Sequence, residues 1–400
     1  MILFAPQGPN SGAEGMVTKK FVDMLRKRDW RVIWLYQADI SDYPNRSEAH
    51  SDDIEVQLKR SACALVLSLL TRYIKHPFLK SLAWCFAAKT LAASMIKREE
   101  VTVVSSRIMP KYGHLPALLL SWESKIPWHV NWSDPMPESK APHPYGQGEQ
   151  GKISFFMNLF LRAICVRATC HTFPSKRLQN LYLSYMPVDE DKCEIIPHLS
   201  AKIKNVEEKD KEDFILSYIG GGLSIRNPRN FFHALSRVRD DLKAIGLFKI
   251  QFVGPDENDV VEMARDCGVL DLVRFVPPVT YEESIELMRS STANLVLEAD
   301  MDDGVFLPSK VADIVSCNTP MLAVSPCNGV MHDLLDCCGG GLWADCTSID
   351  SIESTLRKMI NDWKNNKLMA KEYSSIKLAE EFSEEKVYDD FVNLINRTTK

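Results

Sequence analysis

Residues 293–326 read ANLVLEADMDDGVFLPSKVADIVSCNTPMLAVSP. An apolar run, Ala293–Leu297, enters an acidic, glycine-containing loop that ends at Pro308, a residue suited to the first turn of a helix. A helical stretch follows, then a second apolar run, Met321–Val324. Strand, loop, helix and strand in that order make one βαβ unit, the building block of a parallel sheet. The amides of Phe306, Leu307 and Ser309 are expected to be unpaired donors at a helix start, suited to a diphosphate. Lys310 adds a point charge for the same phosphates. Asp313, one turn on, can accept two hydrogen bonds from a ribose diol. An exposed Lys310–Asp313 ion pair on a surface helix is the plainer alternative.

The same alternation extends in both directions. Upstream, strands are predicted at Ile2–Ala5, Arg31–Tyr36, Val101–Ser105, Trp128–Trp132, Thr169–Phe173 and Glu194–Ile196, with helical patterns between them. Around residue 200 the pattern stops at AKIKNVEEKDKED, in which nine of thirteen residues are charged, the composition of a linker. It restarts with Phe214–Ile219, Phe248–Val253, Val273–Val276, Ala293–Leu297, Met321–Val324 and Gly341–Trp343. The chain is therefore read as α/β, with two doubly wound Rossmann-like domains facing a central cleft. The boundaries are 1–200 for the first domain, 201–212 for the linker, 213–375 for the second domain, and 376–400 for a helix returning to the first domain.

Composition narrows the function. Four hundred residues, 45% hydrophobic, suffice for two cores. Forty-eight Lys and Arg against fifty-three Asp and Glu give a net charge of −5, so no global field favours nucleic acid. Eleven cysteines, none in a C-x-x-C pair, read as reduced core residues. The N-terminus reads as a core strand, not a signal peptide, and no apolar run reaches the roughly 20 residues of a bilayer span. A cytoplasmic location is expected.

A second constellation opens the second half: FILSYIGGGLSIRNPRNFFHAL, residues 214–235. Gly220, Gly221 and Gly222 let a backbone approach a ligand closely, and Arg226 and Arg229 offer planar forks for phosphate oxygens. Together with LPSKVADIVSCNTPMLAV, this half resembles the donor site of glycosyltransferase family 4 in the two-domain, B-type fold. There a Pro-x-Lys-x-x-Glu run binds the nucleotide, and Pro308, Lys310 and Asp313 take those places, with Asp for the usual Glu. The resemblance implies that Arg226 clamps the donor pyrophosphate and that the turn after Val276 meets the base. The family's earlier glutamate falls on Val305; Asp300, Asp302 and Asp303 stand nearby. What the family implies is transfer of a sugar from a nucleotide diphosphate sugar to a glycan or lipid-linked acceptor, with retention and no metal or other cofactor. A sugar-nucleotide epimerase and a non-catalytic scaffold of the same fold are the rival readings.

The first half supplies acceptor and catalytic candidates. Gly12, in the loop PNSGAEG after the first strand, is placed near the transferred sugar by the fold. KIPWHVNWSDPMP, residues 125–137, resembles the family segment that delivers an acid to the cleft, which makes Asp134 the first candidate for the acceptor hydroxyl and His129 the second. His114 and His198 also lie near predicted strand ends. Two acid-free segments, residues 72–97 and 152–167, mix Trp, Phe and Leu with Lys and Arg; such helices suit an anionic membrane surface, or else a core from which the basic side chains reach solvent.

Overall fold

A run such as Phe214–Ile219 has no polar alternation, so a strand made from it must be covered on both faces. The computed structural model meets that demand with two separate sheets, all of whose strand pairs are parallel. It describes residues 1–9, 11–37, 50–58, 62–73, 77–255, 257–368 and 371–399. Two units emerge: residues 1–137, 152–199 and 387–400 form the first, and residues 138–151 and 200–386 the second. The segment expected as a linker, 201–212, lies outside the described residues.

In the first unit the order is β1 (Ile2–Phe4), α1 (Gly12–Arg26), β2 (Ile33–Tyr36), β3 (Asp53–Glu55), α2 (Ala62–Tyr73), α3 (Pro77–Ile96), β4 (Val104–Arg107), α4 (Leu115–Ser121), β5 (Trp128–Asn131), α5 (Phe155–Arg167), β6 (Cys170–Phe173), α6 (Lys176–Leu183) and β7 (Cys193–Ile195). The described strands make a seven-stranded sheet in the order β3-β2-β1-β4-β5-β6-β7. Edge strand β3 escaped the sequence reading because its three residues, Asp53-Ile54-Glu55, have no apolar period. Parallel pairing with β2 and the Asp53–Arg26 ion pair at 2.7 Å hold it. Strand β4 begins at Val104, later than expected, and delivers Arg107 at its carboxyl end.

The second unit continues with β8 (Phe214–Ile219), α7 (Leu223–Arg226), α8 (Arg229–Arg237), α9 (Arg239–Ala244), β9 (Phe248–Val253), α10 (Asn258–Asp266), β10 (Val273–Val276), α11 (Tyr281–Ser290), β11 (Ala293–Leu297), α12 (Lys310–Ser316), β12 (Met321–Ser325), α13 (Val330–Cys338), β13 (Gly341–Asp345), α14 (Ile349–Lys364) and α15 (Ile376–Glu381). Its sheet order is β10-β9-β8-β11-β12-β13. Side chains alternate across β11: Ala293, Leu295 and Leu297 enter one core with Phe231 and Phe232, and Val296 enters the other with Ile314 and Met331. The order reverses direction between β8 and β11, the kind of switch point outside which open α/β sheets bind ligands.

Residues 138–151, placed in the first domain by the sequence reading, group with the second unit, where Tyr145 packs its ring 4.8 Å from that of Phe306. The chain's last helix, α16 (Glu384–Thr398), belongs to the first unit from Val387 on. Phe391, fully buried, lies 5.1 Å from the ring of Phe21 and 5.1 Å from that of His129. Truncating it removes a buried aromatic that no neighbour can replace. Phe391→Ala should cost about 3–5 kcal/mol in urea unfolding of the first unit, whereas Ile376→Ser, at an exposed site, should stay within about 0.5 kcal/mol.

Candidate functional site

The carboxyl ends of β8 and β11 bring together the charged residues of the second unit. Beyond β8 the chain turns through Gly220, at φ 140°, and Gly222, at φ 77°, conformations that a side chain would strain. A Cβ on Gly220 would also run into the Lys310 ammonium, so the glycine makes room for that lysine. Lys310, the first residue of α12, reaches across to donate a short hydrogen bond to the Ile219 carbonyl, and its Nζ lies 4.3 Å over the Tyr218 ring. From the other side, Arg226 Nη1 donates to the Tyr218 hydroxyl at 2.8 Å and to the Gly221 carbonyl at 2.5 Å. Two cations from segments far apart in sequence thus meet around one tyrosine.

Between them stands Glu298, the residue directly after β11 and 5% exposed. Its Oε1 is 3.6 Å from Arg226 Nε, and neither atom has a hydrogen-bond partner. Burial pushes the Glu298 carboxyl up to about 7, against the pull of Arg226 and Lys310. Burial, then the like charge of Arg226, draws the Lys310 ammonium down to about 7. A cavity of about 100 Å³ opens beside Arg226 and Glu298 and is also lined by Asp300 and Asn230.

The glycine turn itself is already capped. Glu257 accepts from the backbone amides of Leu223 at 3.0 Å and of Ser224. Partial burial works against its ionisation, yet the bonds from Ser224, Leu223 and Gly222 hold Glu257 below the usual carboxylate range. Free amide donors at this turn are therefore scarcer than the glycine-rich sequence suggests, and the open positive charge is that of the side chains. Gly221 contributes its carbonyl to Arg226, and Gly222 its left-handed turn.

The remaining donor candidates fall nearby or into the core. Asp313 is buried and accepts from the Tyr281 hydroxyl at 2.8 Å. Leu307 is buried; Phe306 is half-buried against Tyr145; Val276 is half-buried at the end of β10. Arg229 opens α8. Val305 is fully buried, so a core side chain stands where the resembling family has its earlier glutamate. Asp300 and Asp302 are exposed and Asp303 half-buried. Glu298, Tyr218 and Tyr145 were not singled out from sequence. For Glu298 a signal existed: it is the first polar residue after an apolar strand of a parallel sheet, the position from which such strands present chemistry.

In the first unit, Gly12 starts α1 at φ 57°. Two residues on, Glu14 Oε1 accepts from Ser133 Oγ at 3.1 Å and pairs with Arg107 Nη1 at 3.4 Å. Asn131 Oδ1 takes a second bond from Arg107 at 3.2 Å. Asp134 follows this cluster, and burial, together with the charge of Glu14, raises its carboxyl to about 7. His129 is placed differently. Its Nδ1 bonds Ser105 Oγ at 2.9 Å and its Nε2 bonds Thr172 Oγ1 at 2.8 Å inside the core, and burial holds its ring down to about 3, neutral. His114 is buried against Ser106 at 2.8 Å, and His198 is half-buried near Arg107 and His129. Among the described residues no three His, Cys, Asp or Glu side chains converge as metal ligands would, and no helix is long and apolar enough to cross a membrane.

No protein-family profile matches the chain. No curated protein matches it by sequence either. Solved structures do. Sucrose-phosphate synthase from Thermosynechococcus elongatus aligns over 99% of this chain and 98% of its own, with a TM-score of 0.68 at 12% identity. The glycosyltransferase WaaG, involved in lipopolysaccharide biosynthesis, aligns over 95% and 98% with a TM-score of 0.58, also at 12% identity. A complex of S. aureus TarM with Fondaparinux, alpha-GlcNAc-glycerol and UDP aligns over 79% of this chain and 59% of that one, with a TM-score of 0.56 at 13% identity. The chain has the B-type glycosyltransferase fold, with two Rossmann-like units.

The charge states set a pH dependence. An anion such as a diphosphate at this place would be favoured by a protonated Lys310 and a neutral Glu298, and both are lost as pH rises through about 7. Affinity for a nucleotide diphosphate sugar, whose diphosphate does not titrate in this range, should be highest below that pH and fall above it. Calorimetry across neutral pH checks this, and Glu298→Gln should remove one of the two titrations and leave a shallower fall set by Lys310.

Proposed function

We propose that the chain is a glycosyltransferase that moves a sugar from a nucleoside diphosphate donor to a hydroxyl of a glycan or lipid-linked saccharide, in surface polysaccharide or glycoconjugate biosynthesis. The observation that carries this reading is the meeting of Arg226 and Lys310 over Tyr218, with the Glu298 carboxylate between them. Two adjacent half-buried cations repel one another and have lost part of their hydration, which an anion joining them offsets. One carboxylate only part-compensates two cations, and a diphosphate supplies the missing charge.

In this mechanism the bond from the anomeric carbon to the diphosphate oxygen breaks, the acceptor's hydroxyl oxygen bonds to that carbon and gives up its proton, and the leaving charge is taken up by the Arg226 guanidinium and Lys310 ammonium. Arg226 is held by Tyr218 and Gly221 before the reaction, so that group needs little reorganisation. The diphosphate displaces Lys310 from the Ile219 carbonyl, and Tyr145, raised to about 12 chiefly by burial, remains a hydroxyl donor beside Arg226. Asp313 is the candidate for the ribose diol. We assign the acceptor to the first unit, where Asp134, with its carboxyl raised to about 7, is suited to exchange a proton with a hydroxyl near neutrality. Retention of configuration belongs to the proposal as what the family resemblance implies, and independence from metal because both cationic groups offered to the leaving group are side chains. An acceptor carried on a lipid would bring the enzyme to a membrane surface.

Arg226→Ala and Lys310→Ala should each weaken binding of a nucleotide diphosphate sugar by about 1.5–3 kcal/mol, the range for charge-assisted hydrogen bonds. Calorimetry against a panel of donors measures it; unchanged affinity in both variants would remove the site. Because Arg226→Ala also strands Glu298, the double variant with Glu298→Gln separates lost binding from lost stability. Turnover of the donor without any acceptor to a second sugar nucleotide would favour an epimerase instead.

A further inference from the structure

We infer that α5 is a docking helix for an anionic lipid surface. Its buried side chains are Leu161 and Ile164, which face the first unit. On the opposite side Phe155, Leu159, Arg162 and Val166 follow one another at helical spacing, i, i+4, i+7 and i+11, and so share a stripe. That stripe is open: Phe155 is 75% exposed, Leu159 58% and Val166 79%, with Phe156 beside them at 80%. Single exposed apolar residues need no explanation, but four on one short helix do.

The surroundings choose the occupant. Residues 152–167 carry Lys152, Arg162 and Arg167 and no acid. Arg167 Nε donates to Ser121 Oγ at 3.2 Å, which fixes the end of α5 beside Trp122, itself 60% exposed at the end of α4. Aromatic and aliphatic side chains with interleaved guanidinium groups match an interface of acyl chains and anionic headgroups, and α5 is too short to span, so it would lie in the plane. A second copy fits less well, since two-fold pairing of this stripe would set Arg162 against its own copy with no acid on the helix to answer it. The other acid-free segment behaves otherwise: α3 buries Trp84, Ala87, Ala88 and Ala92 and is a core helix; residues 74–76 between α2 and α3 lie outside the described residues.

The test is co-sedimentation of the full chain, without donor or acceptor, with phosphatidylcholine vesicles and with vesicles also containing phosphatidylglycerol. The wild type should pellet with the anionic vesicles at low salt and be released by high salt. Phe155→Ser with Phe156→Ser should weaken partition by about tenfold or more, as expected when two exposed aromatics no longer insert, with the thermal melt unchanged. Arg162→Gln with Arg167→Gln should abolish the preference for anionic lipid. Brominated lipid should quench Trp122, a signal missing in Trp122→Phe. Recovery in the supernatant at low salt, equal binding to both vesicles, or a protein dimer that the serine variant dissociates would each overturn the assignment. Because no nucleotide is present, these outcomes are independent of whether the donor site is placed correctly.

Discussion

Lys310 and Arg226 are half-buried cations held against one another around Tyr218, and much that is distinctive about the second unit follows from holding them there. Gly220 lacks a side chain because the lysine passes through that space. Tyr218 presents its ring to one cation and its hydroxyl to the other. Glu298, with an oxygen that has no hydrogen-bond donor, supplies the compensating charge. An arrangement in which backbone carbonyls stand in as acceptors for both cations has the character of a site waiting for a stronger anion.

The contrast between the histidines and the acids shows how burial sorts candidate chemistry. His129 and His114 look reactive in sequence, yet each is fixed by hydroxyl partners in the core and held neutral. Asp134 and Glu298 lie just past strand ends, where burial lifts a carboxyl toward neutrality while leaving it at the rim of the sheet. Position relative to the carboxyl end of a parallel strand, rather than residue type, separates the two groups.

Much of this was legible in the sequence. Apolar runs covered on both faces announce themselves by the absence of alternation, so the β8 to β13 series was read directly. Strand β3 was not, because three residues with two charges carry no period, and its existence depends on pairing with β2. Arg226 and Lys310 stand out as candidates in the sequence because glycine turns and a Pro-x-Lys run mark themselves. Glu298 was passed over in favour of the more conspicuous acids Asp300, Asp302 and Asp303; its importance comes from the crossing of β11 with two other segments, which is a tertiary fact. The same is true of Glu257, whose capping of the glycine turn spans more than thirty residues, and of Tyr145, which lies in a stretch assigned to the other domain by chain order.

The central claim is that these two half-buried cations are a diphosphate cradle. A crystal structure with a bound nucleoside diphosphate tests it most directly. The account predicts diphosphate oxygens within hydrogen-bond distance of both the Arg226 guanidinium and Lys310 Nζ, with the lysine released from the Ile219 carbonyl; a nucleotide bound elsewhere, with that lysine still on the carbonyl, would contradict it.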